Sequence, residues 1–118
     1  MTELIACLST GKGTWGHVNR LIQDQEWDKI FLITNEFGKE NFTVEKEAEF
    51  IIIQQSQGLI ELRDQIEKSL KDKVKGTEVA VNFVSGTGKE HTALISALLR
   101  LGVGIRLTAL TKDGIKEL

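Results

Sequence analysis

The sequence predicts an α/β protein: a Rossmann-like, doubly wound parallel sheet of about five strands, with helices on both faces. Apolar runs of strand length alternate along the 118 residues with amphipathic stretches of helix length. The runs are continuous, as in Lys29–Thr34, which favours parallel strands covered on both faces. The first and fourth runs each lead through a glycine-rich turn into a helix. Such alternation is typical of right-handed β-α-β crossovers.

Each predicted strand is a short apolar run bounded by polar or glycine residues. The first ends before Thr10, and the fourth ends before Ser85. The predicted strands are Leu4–Ser9, Lys29–Thr34, Phe50–Ile53, Val79–Val84 and Ile105–Leu110.

The predicted helices are assigned from apolar residues three and four positions apart. The first begins near Thr14 or Gly16 and fades over residues 23–26, and a short one lies around residues 38–42. The third begins at Leu59, keeps its stripe to Val74 and stops at Gly76. The fourth spans residues 90–101 and ends at glycine.

The remaining segments are predicted to be connections. Residues 45–49 form a charged, solvated linker, and residues 111–118 form a short polar tail. With 118 residues and no low-complexity tract, the chain is expected to be a single domain, residues 1–118.

Composition excludes several classes of function. The net charge of −2 argues against a duplex-DNA binder. Cys7 is the single cysteine, and with two histidines in the chain we expect neither a disulfide nor a metal site. The sequence has no signal-peptide pattern and no 18-residue apolar stretch, so we expect a cytoplasmic protein with no membrane partner.

The two glycine-rich turns are the most informative motifs. Both combine glycines with hydroxyl side chains, one lysine and one histidine, a composition that presents N–H groups and positive charge to an anion. In the strand order 3-2-1-4-5, the first and fourth strands are neighbours at the switch point of the sheet, where ligands bind. We therefore expect the two turns to lie side by side and to bind a phosphate-bearing ligand.

Each turn also matches part of a nucleotide-binding motif. Residues 11–16 satisfy the dinucleotide pattern G-x-G-x-x-G, with Glu36 20 residues beyond Gly16, but the chain has no second domain for a redox reaction. Residues 86–89 look like the end of a Walker A loop, but Phe83 stands where its first glycine belongs. Glu90 also replaces the magnesium-binding hydroxyl. We expect no cofactor.

The histidines and lysines of these turns have ordinary interpretations too. His17 and His91 each lie in the first turn of a helix, where capping or packing is the simpler role. Lys12 and Lys89 occupy positions suited to a phosphate, although solvated loop lysines are common. Trp15 is equally suited to stacking on a base and to packing under its helix.

Residues 81–94, continuing to Leu110, resemble the second signature of CARF domains, the Rossmann-like sensors of cyclic oligoadenylates in CRISPR antiviral defence. Ser9-Thr10-Gly11-Lys12-Gly13 resembles their first signature, a hydroxyl-and-glycine loop after strand one. Neither histidine has an upstream arginine in the spacing of the ribonuclease effectors, so the resemblance implies a stand-alone sensor.

The resemblance implies a homodimer that binds a cyclic oligoadenylate, most simply the tetra-adenylate, across its two-fold axis. Some stand-alone relatives cleave the ring as metal-independent ring nucleases. By that resemblance Ser9 or Thr10 would orient the ribose hydroxyl, and Lys89 would stabilise charge on the phosphate. The implied ligand-binding residues are Thr10, Gly11, Lys12, Gly13, Thr14, Ser85, Gly86, Thr87, Gly88, Lys89 and His91.

Two alternatives from other classes stay open. One is a small Rossmann-like domain that binds an adenine mononucleotide or dinucleotide outside CRISPR systems. The other is a structural interaction module in which both glycine-rich turns are only tight turns.

Overall fold

The computed structural model of the protein describes residues 2–118. The strands are β1 Glu3–Cys7, β2 Lys29–Thr34, β3 Glu49–Ile52, β4 Glu78–Asn82, β5 Gly104–Thr111 and β6 Gly114–Glu117. The helices are α1 Trp15–Gln23, α2 Glu36–Asn41, α3 Leu59–Leu70 and α4 Gly88–Leu101, with one 3-10 turn at Lys12–Thr14. Across residues 2–118, none of these helices has the length and apolar character needed to cross a membrane.

The strands form one sheet in the order β3-β2-β1-β4-β5-β6. The first five are parallel, and β1 lies between β2 and β4, with Ala6 opposite both Leu32 and Asn82. The predicted α/β class and the predicted order of the first five strands are confirmed. Chain direction across the sheet reverses between β1 and β4, which makes their carboxyl ends the switch point.

The sheet has six strands, so the expected number of about five was wrong. Residues 111–118 are not merely a polar tail, because β6 pairs antiparallel with β5 and places Gly114 opposite Thr111. Gly114 has a φ of +99°, which glycine adopts without a Cβ clash and which lets the chain reverse over Lys112 and Asp113. The Thr111 hydroxyl donates to the Gly114 carbonyl at 2.7 Å and closes the hairpin.

Helices cover both faces, as predicted. α1 packs Val18, Leu21 and Ile22 against one face, together with alternate residues of β1 and β2. α3 and α4 cover the other face with Leu62, Ile66 and the apolar side of α4. Buried apolar side chains on both faces stabilise the sheet that holds the two glycine-rich turns in place.

α3 ends at Leu70, earlier than the predicted stop at Gly76. The buried carboxylate of Glu3 explains this difference. It accepts hydrogen bonds from the backbone N–H of Lys75 at 3.0 Å and of Gly76 at 2.8 Å. These bonds hold residues 75–76 against the amino end of β1 and replace the hydrogen bonds that a longer helix would have offered.

Candidate functional site

The two glycine-rich turns meet at the switch point. We call residues 9–14, which follow β1, loop 1, and residues 85–89, which follow β4, loop 2. The backbone N–H of Ser9 donates to the Ser85 hydroxyl oxygen at 2.8 Å, which joins the loops directly. The expectation that the turns lie side by side is therefore confirmed.

Ser85 organises this junction. Its side chain is 1% exposed, and its hydroxyl donates to the Ser9 hydroxyl oxygen at 3.2 Å. The Ser9 hydroxyl in turn donates to the Gly11 carbonyl at 2.8 Å. The predicted site residues Ser9 and Ser85 are therefore brought together, and the hydroxyl hydrogens of both are engaged in holding loop 1 in shape.

Trp15 holds loop 1 in place through a hydrogen bond to its backbone. Its indole Nε1–H donates to the Ser9 carbonyl at 2.9 Å, and the side chain is buried. Of the two roles considered for Trp15, the structure has the packing role. Residues 10–13 above it, which were predicted to bind ligand, are exposed to solvent. The Thr14 hydroxyl oxygen is buried and has no hydrogen-bond partner within residues 2–118.

Loop 2 turns sharply at Gly86, whose φ is +101°. A Cβ at this position would lie 3.0 Å from both the Cβ of Cys7 and Nε2 of His91, so a side chain has neither the backbone conformation nor the space it needs. Thr87 is the N-cap of α4, and its hydroxyl oxygen accepts from the backbone N–H of Glu90. Gly88 is the first residue of the helix. The helix N-terminus therefore directs its partial positive charge to the end of β4.

His91 supports loop 2. Its Nε2 lies 2.7 Å from the Ser85 carbonyl oxygen, and since a carbonyl only accepts, Nε2 carries the proton and donates. The imidazole also packs on the Phe83 ring, with 4.7 Å between ring centroids. The structure thus gives His91 a contact with the loop backbone, which is the capping and packing role.

The two lysines have different surroundings. Lys12 Nζ lies 5.8 Å from the ring centroids of both Trp15 and Phe37, on the exposed side of loop 1. Lys89 Nζ donates to the carbonyl oxygens of Gln55, at 3.0 Å, and of Gln57, in the turn after β3. The Lys12 ammonium is therefore directed to the aromatic rings beside loop 1, whereas the Lys89 ammonium is directed to a third loop at the same end of the sheet.

His17 connects α1 to the sheet. Its Nε2 lies 3.2 Å from Asn82 Nδ2 and accepts from the backbone N–H of Leu110 at 3.3 Å. Asn82 Nδ2 also donates to the Thr108 carbonyl at 2.8 Å, which fixes the orientation of the amide. Both neighbours of Nε2 are donors, so this nitrogen is unprotonated. Burial lowers the pKa of His17 from its ordinary value, which favours the same neutral state.

Beneath loop 2 lie a thiol and a carboxylate that sequence reasoning did not connect. Cys7 is fully buried at the end of β1, and Glu90 is 4% exposed in the first turn of α4. Burial raises the pKa of the Cys7 thiol, and the Glu90 carboxylate raises it further. Cys7 is therefore a neutral thiol that fills space under Gly86 and is a poor nucleophile.

Two residues important to the site were missed. Asn82 is a buried amide that joins β4, β5 and α1, and its one signal in the sequence is a polar residue inside an apolar run. Phe37 follows β2 and is 42% exposed beside Lys12. It lies in the stretch with the weakest sequence pattern, and only the parallel pairing of β1 with β2 brings it near loop 1.

No protein-family model matches the chain, and no curated protein matches it. The chemistry of the site is therefore argued from its own residues. These are two glycine loops joined by a hydrogen bond, a helix N-terminus, and a lysine beside an exposed aromatic ring.

Proposed function

We propose that the protein is a cytoplasmic sensor that binds a cyclic oligoadenylate over loops 1 and 2, with two copies of the chain enclosing one ring. The observation that carries this proposal is the 2.8 Å hydrogen bond from Ser9 N–H to the Ser85 hydroxyl. It couples two glycine loops into one surface at the switch point of the sheet, where doubly wound folds bind phosphate-bearing ligands. The resemblance of both loops to CARF signatures names the ligand class.

Charge supports the same ligand. A cyclic tetra-adenylate carries four phosphate charges, and two chains contribute four ammonium groups from Lys12 and Lys89. The exposed backbone of loop 1 and the N-terminus of α4 add neutral donors and a partial positive charge. For Lys89 to contribute, its ammonium must leave the carbonyls of Gln55 and Gln57. Lys12 needs no such change, so we expect it to contribute more to affinity.

Isothermal titration with cyclic tri-, tetra- and hexa-adenylate at low salt tests the proposal. Binding of one ring size should weaken in Lys12→Ala, and less so in Lys89→Ala. Lys71→Ala is the matched control, because this exposed lysine follows α3 at the opposite edge of the sheet from the two loops. If the protein binds none of the three rings, the proposal is ruled out.

Slow ring cleavage is an extension of this function. The Ser9 hydroxyl already donates to the Gly11 carbonyl, so the exposed Thr10 is the better candidate to orient a ribose 2′-hydroxyl. Product analysis after hours with excess protein distinguishes a nuclease from a binder. Linear products that form more slowly with Thr10→Val and Lys89→Ala would identify a nuclease, and an intact ring would identify a binder.

A further inference from the structure

An exposed aromatic ring lies beside loop 1. Phe37 is 42% exposed, whereas the two rings behind it, Trp15 and Phe42, are buried. Trp15 lies 6.2 Å from Phe37 and 5.6 Å from Phe42, measured between ring centroids. Phe37 is thus the outer member of a three-ring cluster, packed against Trp15 and partly exposed to solvent.

The position of Phe37 relative to the site sets it apart from other exposed apolar residues, which are common on protein surfaces. It follows β2, whose carboxyl end lies next to that of β1 because Cys7 pairs with Ile33. It therefore lies at the ligand-binding edge of the sheet, on the far side of loop 1 from loop 2.

A cation accompanies this ring. Lys12 Nζ is 5.8 Å from the Phe37 centroid and belongs to loop 1 itself. An aromatic face next to a lysine matches the two parts of a nucleotide, since a base stacks on the ring while its phosphate meets the ammonium. An apolar peptide would gain nothing from the lysine.

We propose that Phe37 is a nucleobase platform: one adenine of the ligand stacks on its exposed face, and Lys12 contacts the phosphate of the same nucleotide. This inference rests on the proposed function and adds to it a residue that selects for a base. It predicts that the ligand contacts extend beyond loops 1 and 2 to α2.

The test uses Trp15 as an internal reporter. In a Trp27→Phe variant, Trp15 is the sole tryptophan, because the chain has two. Cyclic tetra-adenylate should quench its fluorescence, since a base on Phe37 would lie close to the neighbouring indole. Phe37→Ala removes one base stack from each of the two chains, so binding of the ring should weaken by more than the roughly 5- to 150-fold expected for a single stack, and Phe37→Trp should restore it.

Controls separate this inference from the function on which it rests. Leu99→Ala removes a side chain that is 66% exposed on α4 and should leave the affinity unchanged. Phe37→Leu keeps apolar bulk without an aromatic face and should bind as weakly as Phe37→Ala. Wild-type affinity in Phe37→Ala and Phe37→Leu, with the ring still bound, overturns the platform and leaves the function intact. Absence of ring binding by the wild type overturns both.

Discussion

The backbone N–H of Ser9 donates to the hydroxyl oxygen of Ser85, 76 residues further along the chain, at 2.8 Å. Ser85 is buried, and its hydroxyl also donates a hydrogen bond to the Ser9 hydroxyl oxygen. One side chain therefore holds loop 1 against loop 2. A phosphate that bridges the loops would meet a surface whose shape is set before binding, which reduces the entropy lost on binding.

Ser85→Ala should therefore destabilise the fold. It leaves the half-buried N–H of Ser9 without its partner, and an unsatisfied donor in such a position costs up to about 1–3 kcal/mol. Chemical denaturation measures this change. Ser56→Ala, in the exposed turn after β3, should stay within about 0.5 kcal/mol of the wild type. Equal stability of the two variants would show that the loops do not depend on this bond.

Gly86 and Gly13 form a matched pair of loop glycines. Gly86→Ala places a Cβ 3.0 Å from Cys7 and His91 at a φ of +101° and should cost at least about 1–3 kcal/mol. At Gly13 a Cβ would meet nothing within 4 Å, so Gly13→Ala should be neutral or up to about 1 kcal/mol stabilising. Urea unfolding of both variants checks the difference, and the opposite ranking would contradict the loop geometry.

His17 should make stability depend on pH. Its folded pKa is lowered by burial, while its unfolded pKa is about 6.5. The unfolded chain therefore binds more protons below that value, and stability is full above about pH 6.5 and declines as the pH falls toward the folded pKa.

The matched comparison uses His17→Gln, which keeps a polar side chain that does not titrate. Melting temperatures of the two proteins between pH 8 and 5 isolate the contribution of His17, because all other groups are shared. The wild type should lose stability relative to the variant as the pH falls. An NMR titration that places the pKa of His17 above 6.5 would be incompatible with its two hydrogen-bond donors.

Cys7 should be unreactive in the native protein. The thiol is fully buried, and both burial and Glu90 raise its pKa, so the thiolate is scarce and inaccessible. A disulfide reagent such as Ellman's should label Cys7 only after denaturation. Labelling at the rate of an exposed thiol in native buffer would mean that loop 2 opens readily.

Sequence patterns were sufficient for the parallel core but not for its edge. Lys29–Thr34 and the other core strands are apolar because they are covered on both faces, and that signal is local. β6 has one apolar residue, Ile115, and its hairpin depends on Gly114 and on pairing with β5. A half-exposed edge strand therefore leaves too little apolar pattern to be recognised.

The candidate site was predictable to the same extent. The neighbouring positions of loops 1 and 2 follow from strand order, which the alternation of elements predicts. The contact between Lys89 and the carbonyls of Gln55 and Gln57 could not be predicted from strand order. It depends on how a loop 32 to 34 residues away along the chain is folded. Phe37 was missed for the same reason, since its neighbours belong to loop 1 and α1.

Native mass spectrometry of the protein with cyclic tetra-adenylate tests the central claim most directly, that loops 1 and 2 are one half of a shared ligand site. We expect a species containing two chains and one ring, which is lost in Lys12→Ala and retained in Lys71→Ala. Detection of the protein without any bound ring, or of one ring bound to each single chain, would contradict the shared site.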